Sequence, residues 1–280
     1  MKSLPDSLLE CATLAARTAG DHARSQWTGR RGETLSVAAH DVKLKLDVEC
    51  QAIAAATIQS RFPGHRLLGE EDAAASAASQ PHFSWDADTA ANALAKDGIT
   101  WIVDPIDGTV NFFHGLPFWC CSVAAAVNGI VVAGAVYAPA MDLLYQAVTD
   151  RGSTCNGKPI RVSTIRRLSE GLVMTGLDKK LSPAAGPLSA FSRLSAACQK
   201  TRVMGSAALD LCSVAAGQAE AYFETGIYIW DVAAAGLIVR QAGGRVELPR
   251  RLAENRICFI GSNGLVHDEV RAILSPILDG

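Results

Sequence analysis

The stretch Trp101–His114, which reads WIVDPIDGTVNFFH, constrains the fold of this chain more than any other part of it. Three apolar residues lead into Asp104 and Asp107, Pro105 stands between these two acids, and a Gly-Thr pair follows at once. This order predicts a buried strand that ends in a tight turn carrying two carboxylates. Burying a carboxylate costs roughly several kcal/mol unless a cation or hydrogen-bond donors meet it. The turn therefore indicates either a metal site or an Asx-turn, in which the acids bind only backbone N–H groups.

Composition and charge place the chain among ordinary globular proteins. It has 280 residues, 49% of them hydrophobic, and 26 Lys and Arg against 28 Asp and Glu give a formal net charge of −2. That balance argues against a nucleic-acid partner, since nucleic-acid binders normally show a basic face. Pro5, Asp6 and Glu10 interrupt any signal-peptide core, and no window approaches the roughly 18 apolar residues of a membrane span. Eight cysteines without a C-x-x-C pair indicate buried, reduced thiols, so we expect a cytoplasmic protein without a membrane partner.

Hydrophobic periodicity predicts a mixed architecture of the α/β (α+β) class, with a soft boundary near residue 150 between segments 1–150 and 151–280 of one compact unit. Asn128-Gly129 between two apolar runs predicts a hairpin turn. Residues 72–98 are Ala-rich and predict a surface excursion with a short helix over 89–95. Helices are predicted over 6–24, 50–62, 188–200, 209–216, 230–241 and 267–274. Strands are predicted over 65–69, 99–103, 122–127, 131–137, 143–148, 159–162, 171–175, 202–204, 219–223, 245–247 and 258–261.

Further acids stand where apolar runs end or helices begin. Glu70 follows a short strand together with Glu71, Asp231 opens a helix, Asp47 stands at the front of another helix, and Glu224 precedes a predicted loop. Each has a structural alternative, because Asp231 suits the helix dipole, Asp47 suits an N-terminal cap, and a loop acid is usually solvated. Several carboxylates without clustered His or Cys favour Mg²⁺ or Mn²⁺ over zinc. A phosphate ligand would complete such a site, since Mg²⁺ keeps positions open for water and phosphoryl oxygens.

Two Gly-containing turns would supply backbone N–H groups to anionic oxygens. One is Gly205–Ala208 before a predicted helix, and the other is Gly108-Thr109 after the two acids. The chain contains no G-x-x-x-x-G-K-[ST] motif, no G-x-G-x-x-G after a strand and no G-x-S-x-G elbow. P-loop, dinucleotide-binding and serine-hydrolase functions therefore lack support.

Together, WIVDPIDGTVNFFH, the upstream GEE and the late stretch WDVAAAGLIVRQAGG resemble the inositol monophosphatase family of metal-dependent phosphatases. The resemblance covers nearly the whole chain, in the family's order. It implies a layered αβαβα sandwich of the inositol monophosphatase and fructose-1,6-bisphosphatase type, often a homodimer and commonly inhibited by Li⁺. It also implies Mg²⁺-dependent hydrolysis of a small polyol, sugar or nucleoside phosphate monoester by an activated water.

The resemblance also implies a role for each matching residue. The site would bind two or three Mg²⁺ ions, and Asp104 would bridge two of them. Thr109 and Glu70 would orient the attacking water. Asp47 would lie near a third, weaker metal position. The backbone of Gly108 and Thr109 would hold the phosphate. The implied metal ligands are Glu70, Asp104, the carbonyl of Ile106, Asp107 and Asp231. The implied residues of the alcohol side are Gly205, Ser206, Ala207 and Glu224.

Two departures from the family leave the substrate open. Many relatives carry D-x-V-T-x-x-D where residues 41–47 read DVKLKLD, so Leu44 replaces the usual Thr. The segment between Glu71 and Asp104 is also longer than the family leads us to expect. The alternatives are a 3′(2′),5′-bisphosphate nucleotidase, a fructose-1,6-bisphosphatase-like phosphatase, and a non-catalytic regulatory protein that keeps the fold. A glycosidase with paired carboxylates and no metal is a further alternative.

Overall fold

Two β-sheets alternate with pairs of helices in the computed structural model, which describes residues 3–27, 34–38, 41–71, 83–85, 98–177, 186–253 and 255–278. The helices are α1 (Leu4–Gln26), α2 (Lys45–Arg61), α3 (Thr109–Phe113), α4 (Gly186–Ala197), α5 (Ala207–Ala215), α6 (Ile229–Gln241) and α7 (His267–Leu278). The strands are β1 (Thr34–Ala38), β2 (Asp41–Leu44), β3 (Arg66–Gly69), β4 (Ile99–Asp107), β5 (Cys120–Val127), β6 (Ile130–Ala138), β7 (Leu143–Val148), β8 (Ser153–Cys155), β9 (Lys158–Ile160), β10 (Leu172–Thr175), β11 (Lys200–Arg202), β12 (Ala221–Tyr228), β13 (Arg245–Arg251) and β14 (Arg256–Ser262).

The layers follow the order αβαβα that the family resemblance implies. The larger sheet has the strand order β3-β4-β5-β6-β7-β8-β9, the smaller sheet has the order β11-β10-β12-β14-β13, and β1 and β2 form a separate hairpin. Helices α5 and α6 lie between the two sheets. Helices α1 and α2 cover the outer face of the larger sheet, and α4 and α7 cover that of the smaller one. The predicted fold class is confirmed.

The central strands of the larger sheet are buried on both faces. Every residue of β4, β5 and β6 is buried, which explains why these strands read as continuous apolar runs. Gly134 of β6 lies where α6 crosses the sheet, and a Cβ added there would stand only 2.9 Å from the Cα of Ala234. The absence of a side chain therefore lets α6 approach the sheet closely.

Most predicted elements are present, and their ends differ for identifiable reasons. The Asn128-Gly129 hairpin is confirmed, with φ angles of 49° and 83° that suit a two-residue type I′ turn. The prediction that Glu224 lies in a loop is wrong, because β12 continues past it as the partner of β14. Helix α2 begins five residues earlier than predicted, since the carboxylate of Asp47 accepts a hydrogen bond from the N–H of Leu44 and caps it there.

Part of the predicted surface excursion, residues 83–85, belongs to the hydrophobic core. Phe83 and Trp85 are each only 5% exposed, and the indole N–H of Trp85 donates to the carbonyl of Ala233 at 2.9 Å. Ser84 between them bridges to Ile130 at the start of β6. This short stretch is therefore tied to the larger sheet and to α6, contrary to the prediction. The helix predicted over 89–95 lies outside the described residues.

All eight cysteines are free thiols, and seven of them are buried, as the sequence predicts. Within the described ranges, no helix combines the length and the apolar character that crossing a membrane requires.

Candidate active site

A β-bulge at the end of β4 brings the two acids of the opening motif to one face of the sheet. Side chains three positions apart in a regular strand point to opposite faces. Asp104 pairs with Ser122 of β5 but Asp107 pairs with Cys120, so one extra residue of β4 bulges between them. Since Ser122 and Cys120 are two apart and share a face, their partners Asp104 and Asp107 share a face as well.

Glu70 comes to the same place from the neighbouring strand. Strand β3 runs parallel to β4 and pairs Gly69 with Val103, so the next residue along each strand, Glu70 and Asp104, emerges at the same edge. The N–H of Glu70 still donates to the carbonyl of Val103 at 3.2 Å. Gln51, which is buried on α2, accepts the N–H of Glu71 at 2.9 Å and fixes the turn that follows β3.

Asp231 enters the site from the first turn of α6. One of its carboxylate oxygens accepts the backbone N–H of Tyr228 at 2.9 Å, so Asp231 caps the N-terminus of the helix in addition to suiting its dipole. Oxygen atoms of Asp104, Asp107 and Asp231 nevertheless all lie within 4.8 Å of one another. Asp231 therefore caps a helix and faces two other carboxylates at once.

Asp107 receives the hydrogen-bond donors at the start of α5. The Ser206 hydroxyl lies 2.7 Å from Oδ2, the Ala208 N–H lies 2.7 Å from the same atom, and the Ala207 N–H lies 3.2 Å from Oδ1. The anion at this helix end is therefore the protein's own carboxylate. Ser206 and Ala207, which the sequence assigned to the alcohol side, hold Asp107 in this structure, and their contact with substrate stays a prediction.

The turn after Asp107 is closed by a small set of contacts. The Asp104 carboxylate accepts the N–H of Ile106 at 3.1 Å, and the Thr109 hydroxyl donates to the Ile106 carbonyl at 2.9 Å. Gly108 has φ 96°, and a Cβ there would stand 3.0 Å from the Phe118 carbonyl and 3.2 Å from that of Gly205. Only glycine fits this left-handed, crowded position without strain, and it brings the two Gly-containing turns into contact.

The acids of the site repel one another and hold protons more tightly than usual. Burial, and then the charges of Glu70, Asp107 and Asp231, raise the pKa of Asp104 well above its ordinary value. Burial, followed by the charges of Asp231, Asp47 and Glu71, does the same to the pKa of Glu70.

Hydrogen bonds moderate the effect at Asp107. Burial raises its pKa to about 6 against the opposing bonds from Ser206, Ala208 and Ala207. Burial, and then the charge of Asp107, raise the pKa of Asp231 to about 8.

A metal ion fits this donor set. Across the described ranges, no Lys, Arg or His side chain forms an ion pair with Asp104, Asp107 or Asp231. Three converging carboxylates without a cation repel one another and favour protonation. Oxygen-only donors are those that Mg²⁺ and Mn²⁺ prefer. Glu70 adjoins Asp104 but lies outside the group of three.

Asp47 and Leu44 show what the departure from the family pattern does locally. Asp47 is 3% exposed, and its Oδ2 accepts the Leu44 N–H at 2.8 Å, which confirms its structural role as a cap. Leu44 is 1% exposed and belongs to the core beneath α1 and α2. A hydroxyl at position 44 would accept a hydrogen bond from the helix, and Leu44 replaces that bond with apolar contact.

Glu224 lies on β12 at the edge of the site, where a buried phenol orients it. The Tyr222 hydroxyl donates to its Oε2 at 2.6 Å. A Cβ at position 176 would overlap this carboxylate as Tyr222 holds it, so Gly176, directly after β10, leaves room for the observed position of Glu224.

Two supporting residues escaped the sequence reasoning. The side-chain amide of Asn111 donates to the carbonyls of Phe118 and Met204, both at 2.8 Å, and so joins α3 to the loop that contains Gly205. Its only signal was a polar residue inside an apolar run. Asp210 on α5 is the second, and its only signal was a lone acid inside the largely apolar run AALDLCSVAA at residues 207–216.

Comparisons with known proteins agree with this arrangement. A profile described as the inositol monophosphatase family matches residues 4–269. An inositol-1-monophosphatase from Synechocystis is 34% identical over 272 residues, which are 95% of this chain and 88% of that protein. Inositol monophosphatase 1 from Bos taurus is 34% identical over 247 residues, 86% of this chain and 84% of that protein.

Solved structures show the same architecture. The inositol monophosphatase from Anabaena superposes with a TM-score of 0.79 at 28% identity, covering 98% of this chain and 97% of that one. The IMPase of Thermotoga maritima superposes with a TM-score of 0.77 at 30% identity, covering 97% of this chain and 98% of that one. The chain belongs to the inositol monophosphatase family, whose members depend on metal ions, and it is a phosphomonoester hydrolase.

Proposed function

We propose that this chain uses Mg²⁺ to release phosphate from a small polyol, sugar or nucleoside phosphate, in the manner of an inositol-1-monophosphatase. The convergence of Asp104, Asp107 and Asp231 within 4.8 Å carries the proposal. The names of the relatives support inositol phosphate as the first substrate to test.

The acids of the site would hold two Mg²⁺ ions. Asp104 has acids on both sides and is the candidate bridge, while Asp47 would serve a third, weaker position. Mn²⁺ would satisfy the same oxygens. When bound, the ions supply charge neutralisation, water activation and stabilisation of the leaving oxygen. The ligands of the two main ions would be Glu70, Asp104, the Ile106 carbonyl, Asp107 and Asp231.

The remaining residues of the turn would position water and phosphate. Thr109 is held by its bond to the Ile106 carbonyl, and with Glu70 it would orient the attacking water. The first N–H groups of a helix have no partner within it, so the N–H groups of Gly108 and Thr109 at the start of α3 would bind phosphoryl oxygens.

The alcohol portion of the phosphate monoester would bind next to Glu224. Tyr222 holds one oxygen of that carboxylate, which sets the direction in which the group accepts substrate hydroxyls. Gly205, Ser206 and Ala207 would form the neighbouring wall, with the last two also holding Asp107.

A substrate panel tests the proposal. Purified protein with Mg²⁺ is given inositol 1-phosphate, fructose 1,6-bisphosphate, AMP and adenosine 3′,5′-bisphosphate, each with and without Li⁺. We expect Mg²⁺-dependent release of phosphate from monoesters and inhibition by Li⁺. Release from none of the four in Mg²⁺ would refute the proposed activity. A strong preference for either bisphosphate would favour a nucleotidase-like or fructose-1,6-bisphosphatase-like enzyme instead.

We also expect the protein to be a cytoplasmic homodimer. Within each chain, segments 1–150 and 151–280 would together form one catalytic unit. Asp104 and Asp107 belong to the first segment and Asp231 to the second, so neither segment holds the full acid group. We expect light scattering to give a mass near twice 29.5 kDa, and a mass of one chain would refute the dimer.

A further inference from the structure

Asp210 lies on α5, near enough to Asp107 of the metal site and to Glu224 to feel the charge of each. It follows Ala207 by three residues, so the two side chains share one face of the helix. The first N–H groups of α5 bind Asp107, and the helix packs against β12, which carries Glu224. Asp210 therefore stands within the electrostatic reach of both carboxylates.

The side chain of Asp210 is buried and its hydrogen bonding is incomplete. The residue is 1% exposed, and its Oδ1 has no hydrogen-bond partner in the part of the chain that the structure describes. A buried oxygen without a partner destabilises the folded protein, because it has lost its bonds to water and gained none in return. The dipole of α5 does not account for the residue, because Asp107 already occupies the N-terminus of that helix. A ligand that forms a hydrogen bond with Oδ1 of Asp210 would account for this buried carboxyl group.

The electrostatics support a neutral carboxyl at this position. Burial, and then the charges of Asp107 and Glu224, raise the pKa of Asp210 to about 9. A neutral carboxyl donates one hydrogen bond and accepts others, whereas an ionised carboxylate only accepts. Polyol hydroxyls also donate and accept, so a neutral Asp210 beside Glu224 offers complementary partners to neighbouring hydroxyls.

Building on the proposed phosphatase activity, we propose that Asp210 is a specificity-determining residue that binds, together with Glu224, the hydroxyl groups of a polyol phosphate. The geometry behind this assignment is a buried, unpartnered oxygen on the helix face that also carries Ala207. Asp210 thus favours hydroxyl-rich alcohols over alcohols that have only the esterified oxygen.

The test compares two substrates across three variants. Wild type, Asp210→Ala, Asp210→Asn and the control Ser213→Ala are assayed with inositol 1-phosphate and with phenyl phosphate, which has no free hydroxyl. Ser213 is a buried polar residue of the same helix, and its hydroxyl donates to the Leu209 carbonyl within that helix. We expect Asp210→Ala to lower kcat/KM for inositol 1-phosphate by about 10- to 100-fold, mainly through KM, and to lower that for phenyl phosphate at least 10-fold less.

Asp210→Asn keeps a donor and an acceptor and should stay within about 3-fold of wild type on both substrates. Equal losses on the two substrates, or an Asn variant as impaired as the Ala variant, would overturn the specificity role. Unfolding of Asp210→Ala, measured by its thermal midpoint, would show a structural role and overturn it as well. A wild type that hydrolyses neither substrate in Mg²⁺ would refute the underlying activity, whereas every other outcome concerns Asp210 alone.

Discussion

At the scale of single residues, the site depends on one irregularity in one strand. Asp104 and Asp107 would face opposite sides of a regular strand, and the bulge at Pro105 and Ile106 puts them on the same side. Pro105 lacks an N–H group, so it suits a position where the ladder is interrupted. The acids were recognisable from the sequence, but their shared face depends on the pairing with β5.

Asp104→Asn should abolish turnover while the fold survives. The amide removes the central negative charge of the acid group and leaves the shape unchanged, so we expect kcat below about one thousandth of wild type. The loss of buried like-charge repulsion should leave the metal-free protein at least as stable as wild type. Phosphate release and thermal unfolding in EDTA measure the two effects. Activity above a few per cent of wild type would show that the bridge is misassigned.

Leu44→Thr and Leu44→Val together isolate the hydroxyl that the family pattern would place at the start of α2. Both substitutions lose buried apolar volume, but only Thr offers an acceptor to the N–H groups of the helix. We expect both to lower the free energy of unfolding, with Thr the more stable by about 1 kcal/mol. Denaturant titrations give the difference. A Val variant equal to or better than Thr would mean that no cap forms at this position.

Other residues lay beyond sequence reasoning. The side chain of Asn111 contacts Met204, 93 positions away, and Asp210 comes near the charges of Asp107 and Glu224 only in the folded chain, so local patterns carry no information about these surroundings. The role of Glu224 was implied by the family resemblance, but its neighbour Gly176 could not be found from local pattern, because it follows a different strand, β10.

At the scale of elements, the N-termini of two helices position the carboxylates of the site. The start of α6 presents Asp231, and the start of α5 holds Asp107. Both helices lie between the sheets, so their depth in the fold sets the distance between the acids. The position of α6 in turn depends on its close contact with β6 at Gly134.

Gly134→Ala should therefore reduce both stability and activity. The added methyl would press on the backbone of Ala234 and push α6 away from the sheet, at a cost of about 1–3 kcal/mol. Asp231 would move with the helix, so kcat/KM should fall at least about 10-fold. Gly157→Ala is the matched control, because no atom lies within 4 Å of the added Cβ and only the positive φ of 74° opposes it. Full activity of folded Gly134→Ala would show that this contact does not position the site.

The buried histidine His267, at the start of α7, predicts that the stability of the fold depends on pH. His267 is completely buried, with Nδ1 at 2.8 Å from the Ser262 hydroxyl and Nε2 at 3.0 Å from Glu247. Burial lowers the pKa of His267 below its ordinary value, so the unfolded chain binds the proton first as the pH falls. This contribution to stability is present above an unfolded pKa of about 6.5 and is lost as the pH falls below it.

Comparison of wild type with His267→Gln at pH 7.5 and pH 5.5 checks this sign. Gln cannot take up a proton, so the difference in unfolding free energy between the two proteins should shrink at pH 5.5 by more than the error of the denaturant titration. A difference that grows at the lower pH would mean that burial does not dominate the titration of His267.

At the scale of the whole molecule, the site forms where the two sheets and the helices between them meet. Periodicity predicted most elements because each is local, and the turn at Asn128-Gly129 was predicted by its residue types. The order of strands β10, β12 and β14 in the smaller sheet was not predictable from local pattern, since its paired residues lie 28 to 48 positions apart along the chain. The family resemblance supplied the layered architecture but not this strand order, and the solved structures confirm the architecture.

Whether Asp104, Asp107 and Asp231 form a metal centre is decided by the rate of phosphate release from inositol 1-phosphate, measured as Mg²⁺ is raised from zero in excess EDTA to millimolar concentration. If the gathered acids form a metal centre, the rate should be negligible in EDTA and should rise and saturate with Mg²⁺. An undiminished rate in EDTA would contradict the account, because the carboxylates would then act without a metal.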